Sequence, residues 1–387
     1  MKILHTSDWH LGHHLYGHER TKEHAAMLEQ MEQIVRDEQP DVFVLCGDVF
    51  HVAQPSASVQ RMFVDHMIRI KRACPHMKVV VTAGNHDSAT RHEAFSALWA
   101  TFGVNSIGTL SDNADDHIIS VDGKGFVVAV PYASDRNTPD GYNQRLLDCV
   151  AERNTDGLPV VMTAHTTVKG ASYLGHEDVT DYTVGTIEGR DISAMGEGYD
   201  YLALGHIHRK QFVHTGKHNV RYCGSPMAVS FDEQYPHSVS IVEIEHHGDT
   251  PRVREIEIEN PRPLVTLPVN EATDWDSALR LLAEFPDNQK AYIRLNVVID
   301  DYLPVGAFEQ AEAITRTKEC IFCRINAVRR VREGEASSKT FTIQEVRELE
   351  PIDVVRKYAE QTNKVFDDEM EALFNEALAA VRDEARE

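Results

Sequence analysis

Val42-Phe43-Val44-Leu45-Cys46-Gly47-Asp48 is five apolar residues in a row stopped by Gly-Asp. The run is too short for a helix and lacks the polar alternation of a half-exposed strand, so it reads as an inner strand covered on both faces. Upstream, residues 21–38 carry Ala25, Leu28, Met31, Ile34 and Val35 at helical spacing, with Pro40 marking the exit. Downstream, residues 55–73 repeat the pattern with Val59, Met62, Phe63, Met67 and Ile70. Two more apolar runs flank these helices: residues 2–7, ending in Asp8-Trp9-His10, and residues 79–82, ending in Gly84-Asn85-His86-Asp87. Strand, polar cluster, helix and strand again predict an α/β fold with parallel strands joined by crossover helices. In such sheets ligands gather at the C-terminal ends of the strands, so clusters forty residues apart can meet.

Two later runs end the same way, residues 160–164 before His165 and residues 201–204 before Gly205-His206-Ile207-His208. Segments 220–223 and 238–245 read as a return sheet. The clusters supply Asp8, His10, Asp48, Asn85, His165, His206 and His208, an oxygen and nitrogen donor set without cysteine that suits two hard or borderline divalent ions. Two adjacent ions imply hydrolysis of a phosphate ester. Asp-x-His, Gly-Asp or a strand-end His is commonplace alone; five clusters at five strand ends carry the reading. Glycine before Asp48, Asn85 and His206 is expected to permit a sharp turn.

The chain has 387 residues, 42% hydrophobic and 26% charged, as in ordinary globular proteins, and no apolar run long enough to span a bilayer. Residues 1–10 already contain a strand and a polar cluster rather than a leader, so a cytoplasmic, membrane-free protein is expected. Six scattered cysteines are expected to be buried, reduced thiols. The net charge of −22 speaks against a generally basic nucleic-acid coat, yet two cations and a few placed basic side chains can attract phosphate locally.

The ordered set Asp8-x-His10, Gly47-Asp48, Gly84-Asn85-His86-Asp87, His165 and Gly205-His206-x-His208 resembles the calcineurin-like metallophosphoesterase superfamily. Within it, residues 5–12, the run Gly47-Asp48-Val49-Phe50-His51, Tyr222-Cys223-Gly224-Ser225-Pro226 and Ser230-Phe231-Asp232-Glu233 resemble the SbcD family, the nuclease subunit of bacterial SbcCD complexes. The resemblance implies an α/β/β/α sandwich with a small α+β capping domain and a helical C-terminal tail. It implies that Asp8, His10, Asp48 and His208 hold one ion and that Asp48, Asn85, His165 and His206 hold the other, with Asp48 bridging. The ions implied are Mn²⁺. His86 would face the substrate phosphate as proton donor, and His51 would contact the phosphate or orient His86. The implied activity is 3′–5′ exonuclease and single-strand or hairpin endonuclease action on DNA, in repair. The implied assembly is a homodimer within a heterotetramer with an SbcC-type coiled-coil ATPase. Ala164 departs from a glycine common before the strand-end histidine, and His13 and His14 are extra; both histidines are expected to be exposed.

Residues 1–260 are expected to form the nuclease domain, 261–335 the DNA-capping domain and 336–387 a partner-binding tail. Pro261 and Pro263 mark the first boundary, after which strand, helix, strand, helix and strand patterns follow. Arg324, Arg329, Arg330 and Arg332 form the densest basic run there, with Arg324, Arg329 and Arg330 as candidate DNA contacts. Val354, Val355 and Tyr358, then Val365, Phe366, Met370, Leu373, Phe374, Ala377 and Leu378, make two apolar stripes in the tail. The resemblance also implies dimerisation through helices near the domain's edge, which makes apolar residues in 55–73 and 95–102 candidates for a dimer interface. The alternatives are a phosphatase or cyclic-nucleotide phosphodiesterase using the same metals, and a non-catalytic DNA-end scaffold.

Overall fold

The computed structural model describes residues 1–172, 189–213, 218–300, 302–330 and nine residues between 352 and 374. Arg332 and, of the two tail stripes, Val354, Tyr358, Val365, Ala377 and Leu378 lie outside the described residues. In chain order the strands are β1 (Lys2–Thr6), the short hairpin β2 (His14–Leu15) and β3 (His18–Glu19), β4 (Val42–Cys46), β5 (Lys78–Thr82), β6 (Val104–Ile107), β7 (Ile118–Val121), β8 (Gly125–Ala129), β9 (Val160–His165), β10 (Tyr201–Gly205), β11 (Gln211–Phe212), β12 (Val220–Tyr222), β13 (Ser238–Glu243), β14 (Arg252–Glu257), β15 (Leu264–Leu267), β16 (Tyr292–Ile299) and β17 (Ile321–Arg329). The helices are α1 (Thr21–Glu38), α2 (Ala57–Ala73), α3 (Ala89–Ala94), α4 (Ser96–Ala100), α5 (Tyr142–Arg153), α6 (Trp275–Glu284) and α7 (Ala307–Thr315).

Two six-stranded sheets stack, in the orders β14-β13-β1-β4-β5-β6 and β11-β12-β10-β9-β8-β7. The period of two along each strand builds the layers. Leu4, Phe43, Leu45, Val79 and Val81 face outward under Met27, Leu28 and Met31 of α1 and Phe63, Met67 and Ile70 of α2. Their neighbours Ile3, Val42, Val44 and Val80 face inward, against Val127, Val161, Tyr201 and Ala203 of the second sheet. Val128, Val160, Met162, Leu202 and Leu204 face out again, under Tyr142, Leu146, Leu147 and Val150 of α5. Each such side chain contributes about 1.5–3 kcal/mol by leaving water. The result is an α/β/β/α sandwich. Strands β1, β4, β5 and β6 run parallel, as do β8, β9, β10 and β12.

The two return segments differ from the expected single sheet. β12 adds parallel to β10 in the second sheet, whereas β13 crosses to the first and pairs antiparallel with β1. Five cysteines, Cys46, Cys74, Cys223, Cys320 and Cys323, are buried and all six are unbridged. Strands β15, β16 and β17 form a separate three-stranded sheet accompanied by α6 and α7. Residues 1–297 and 303–327 form one compact unit; residues 298–302 and 328–387 fall in a second.

Candidate metal centre

The expected ligands come from the ends of strands in both sheets and from the loops that follow them, His165 being the last residue of β9. After β1 and β4 the chain zips together: Asp8 N–H donates to Gly47 O, His10 N–H to Asp48 O and Leu11 N–H to Val49 O, each at 3.0 Å. Asp8, His10, Asp48 and His206 all take positive φ, at 54°, 44°, 51° and 96°, where L residues with a Cβ are strained. Two glycines are required by space rather than by turn geometry. A Cβ on Gly84 would lie 2.1 Å from Asp48 Oδ1, and one on Gly205 would lie 1.9 Å from Cys46 O, with neither residue at positive φ. Gly47, at φ 82°, is the one of the three that makes the expected turn.

Among the described residues three groups of potential ligand atoms result: Asp8, His10 and His208, and Asp48, His165 and His206, which are the two expected sites, and a third in which His10 meets His51 and His86. His10 Nε2 and His208 Nε2 face each other at 3.1 Å. His165 Nε2 and His206 Nδ1 each lie 3.0 Å from Asn85 Oδ1. Asp48 Oδ2 lies 3.3 Å from His165 Nε2 and 3.7 Å from His10 Nε2, between the two expected sites. Two ligand atoms held about 2.1 Å from one ion at tetrahedral or octahedral angles lie roughly 3.0–3.4 Å apart, so this donor set fits a cation in each of the two.

The rings are aimed from behind. His165 Nδ1 donates to Cys46 O at 2.8 Å, turning Nε2 inward. His208 Nδ1 donates to Glu233 Oε1 at 2.8 Å and does likewise. Such outer partners fix tautomer and orientation. Burial works against an imidazolium at His165, but the Asp48 carboxylate outweighs it and lifts the group to about 9. Burial raises the Asp8 carboxyl, and His165 and His208 oppose that effect.

His86 N–H donates to Asp48 Oδ1 at 2.9 Å, and His86 Nδ1 donates to His51 O at 2.9 Å. The His51 and His86 rings stack at 5.6 Å, and both lie against His10. Burial, then His86, pushes His51 down to about 4. His13 is not exposed as expected: it is 8% accessible, packed on His51 at 4.6 Å with its Nδ1 beside Arg20. His14 is exposed. Arg324 donates to Tyr16 Oη at 2.7 Å, and Arg329 and Arg330 are exposed at the end of β17.

Sequence reasoning assigned no role to Glu233 or Asp87. Asp87 accepts from the N–H groups of Val49, Phe50 and Gly84 at 3.1, 3.0 and 2.9 Å, stapling the loop after β4 to the loop after β5. Both carboxylates stood inside quoted motifs; the signal was an acidic residue beside a ligand-bearing or apolar segment, which spacing alone does not interpret.

Residues 1–210 match the calcineurin-like phosphoesterase family, and residues 260–363 match the SbcD_C family, described as a type 5 capsule protein repressor C-terminal domain. The chain is similar to proteins named as the SbcD component of the nuclease SbcCD. The one from Bacillus subtilis (strain 168) is 30% identical, with 99% of each chain covered. That from Rhodobacter capsulatus is 31% identical over 75% of this chain and 78% of the relative. The Escherichia coli (strain K12) protein is 28% identical over 78% and 79%. With a phosphoesterase match over its first half and an SbcD_C match following it, the chain belongs to the SbcD family of nuclease subunits within the calcineurin-like phosphoesterases.

Proposed function

We propose that this protein cleaves DNA phosphodiesters with a pair of Mn²⁺ ions, one held by Asp8, His10, Asp48 and His208 and the other by Asp48, Asn85, His165 and His206. The observation that carries the reading is Asp48 Oδ2 lying between His10 Nε2 at 3.7 Å and His165 Nε2 at 3.3 Å, as a bridging carboxylate must. When bound, such a pair supplies an acidified water for in-line attack and neutralises phosphoryl oxygens. His86, oriented through its Nδ1 by the His51 carbonyl, turns Nε2 toward the phosphate and in its protonated form gives that proton to the leaving oxygen. His51 supports the His86 ring by stacking. Exposed Arg329 and Arg330, together with Arg324, serve the DNA backbone.

The assembly proposed is an SbcCD complex, as the relatives' names have it, with an SbcC-type ATPase bound through the tail, residues 336–387, and two copies of this chain in a heterotetramer. A groove of about 420 Å³ edged by Val64, Phe95, Leu98 and Phe102, the last three 50–58% exposed, supports pairing of copies. The cytoplasm, where the genome is reached, is the proposed place of work. Among the described residues no helix is long and apolar enough to cross a membrane.

Purified protein with Mn²⁺ is expected to cut duplex DNA and to stop on chelation; cleavage of an aryl phosphate but not of DNA overturns the nuclease reading. His86→Gln is expected to keep both ions and lose about 10²–10⁴-fold in turnover. Asp48→Ala is expected to lose both ions, read as metal per chain after desalting; two ions retained would remove Asp48 from the centre.

A further inference from the structure

The loop between β12 and β13 delivers Glu233 to His208, and the three-stranded sheet holds that loop. Arg294 on β16 donates from Nη1 to Asp232 Oδ1 at 2.7 Å and from Nη2 to Phe231 O at 3.4 Å. Its guanidinium lies 5.2 Å from the centre of the Phe231 ring, which is wholly buried. Its Nε donates to Thr266 Oγ1 on β15 at 3.2 Å, and Gln234 bridges back from Phe231 O to the same hydroxyl. The next residue, Glu233, accepts from His208 Nδ1 at 2.8 Å through Oε1 and from Ser225 Oγ at 3.3 Å through Oε2. From Arg294 to His208 the path is therefore one ion pair, one peptide unit and one charge-assisted hydrogen bond.

We propose that Arg294 is a positioning residue for the ion assigned to Asp8, His10 and His208. By clamping Asp232 and Phe231 from two sides it fixes the Glu233 carboxylate against His208 and so sets the direction of His208 Nε2. The three-stranded sheet then contributes to metal affinity as well as to any grip on substrate. A planar fork suits the task because a single guanidinium meets a carboxylate, a carbonyl and a ring face together. The proposal rests on the ligand assignment made above.

The test titrates the full chain, stripped by chelator, with Mn²⁺ and follows free Mn²⁺ by electron paramagnetic resonance. Wild type is expected to bind two ions. Arg294→Met, which keeps the packing over Phe231, is expected to bind one of them about 10–100-fold more weakly, as loss of an outer partner does. The other ion is expected to bind as in wild type, and the metal-free protein to melt within about 3 °C of it. Asp232→Asn is expected to give the same selective loss and decides the matter if Arg294→Met does not fold; Arg294→Lys, which keeps the charge but not the fork, is expected to recover only part of the affinity. Two ions at wild-type affinity in both Arg294→Met and Asp232→Asn would overturn the proposal. A His208→Ala control that still binds two ions would instead overturn the ligand assignment, and the proposal with it.

Discussion

Single residues at this centre are constrained by contact distances as much as by donor chemistry. Gly84 has ordinary backbone geometry, so replacing it adds nothing but a methyl group, and that methyl would meet Asp48 Oδ1 at 2.1 Å and Asp48 N at 2.3 Å. Gly84→Ala is therefore expected to displace the Asp48 carboxylate, cost about 1–3 kcal/mol of stability and weaken metal binding, measured by thermal melting and Mn²⁺ titration. Asp87→Ala would leave three backbone N–H groups without their acceptor. A loss of about 3 kcal/mol or more in urea unfolding is expected, since each buried donor left unpaired costs about 1–3 kcal/mol. The proposed ligands themselves were legible because their residue types and order are unusual together. Gly84, Glu233 and Asp87 were less so: their roles depend on which loop comes to lie behind which strand, and no local spacing encodes that.

Helices and strands were the most legible level. The periodicity over residues 21–38 matches α1, and the apolar run at 42–46 matches β4, because burial on one stripe or on both faces leaves a direct mark on composition. Pairing across distance leaves a weaker one, which is why β12 and β13 read as one sheet although they join different ones. The end of α1 shows such pairing in charge. Glu38 pairs with Arg254 of β14 and, at 2.6 Å, with Lys2 of β1, and Arg254 holds its carboxyl down at about 2, against an ordinary 4.5, with Lys2 adding to the effect and burial opposing it. Because the folded pKa is the lower one, the stabilisation is fully present above pH 4.5 and fades as pH falls toward 2. Glu38→Gln is expected to melt below wild type at pH 6, by an amount of about 1 kcal/mol, and the gap is expected to shrink between pH 4.5 and 2. A gap independent of pH would show that the pair contributes packing alone.

For the molecule as a whole, the alternation of strands and helices announced two-sided burial, and the layered sandwich follows from it. Self-association belongs to this scale. Leu98 at 58% exposure and Phe102 at 50% lie on a face whose composition is that of a protein interior. On the proposed pairing of copies, wild type is expected to sediment as a dimer and Leu98→Glu as a monomer with unchanged metal content; a monomeric wild type in analytical ultracentrifugation would overturn the pairing. The family resemblance, rather than any spacing, pointed to residues 95–102 as a candidate interface, because core and interface share one composition; the accessibility of Leu98 and Phe102 takes these two out of the core. The two halves of the donor set also meet late in biosynthesis: the His206 N–H reaches Asp8 from 198 positions downstream, through a backbone held at an unfavourable angle that an isolated segment would abandon. Under the proposed ligand assignment neither ion has its full donor set until both sheets have left the ribosome, so a nascent fragment lacks the complete cutting centre.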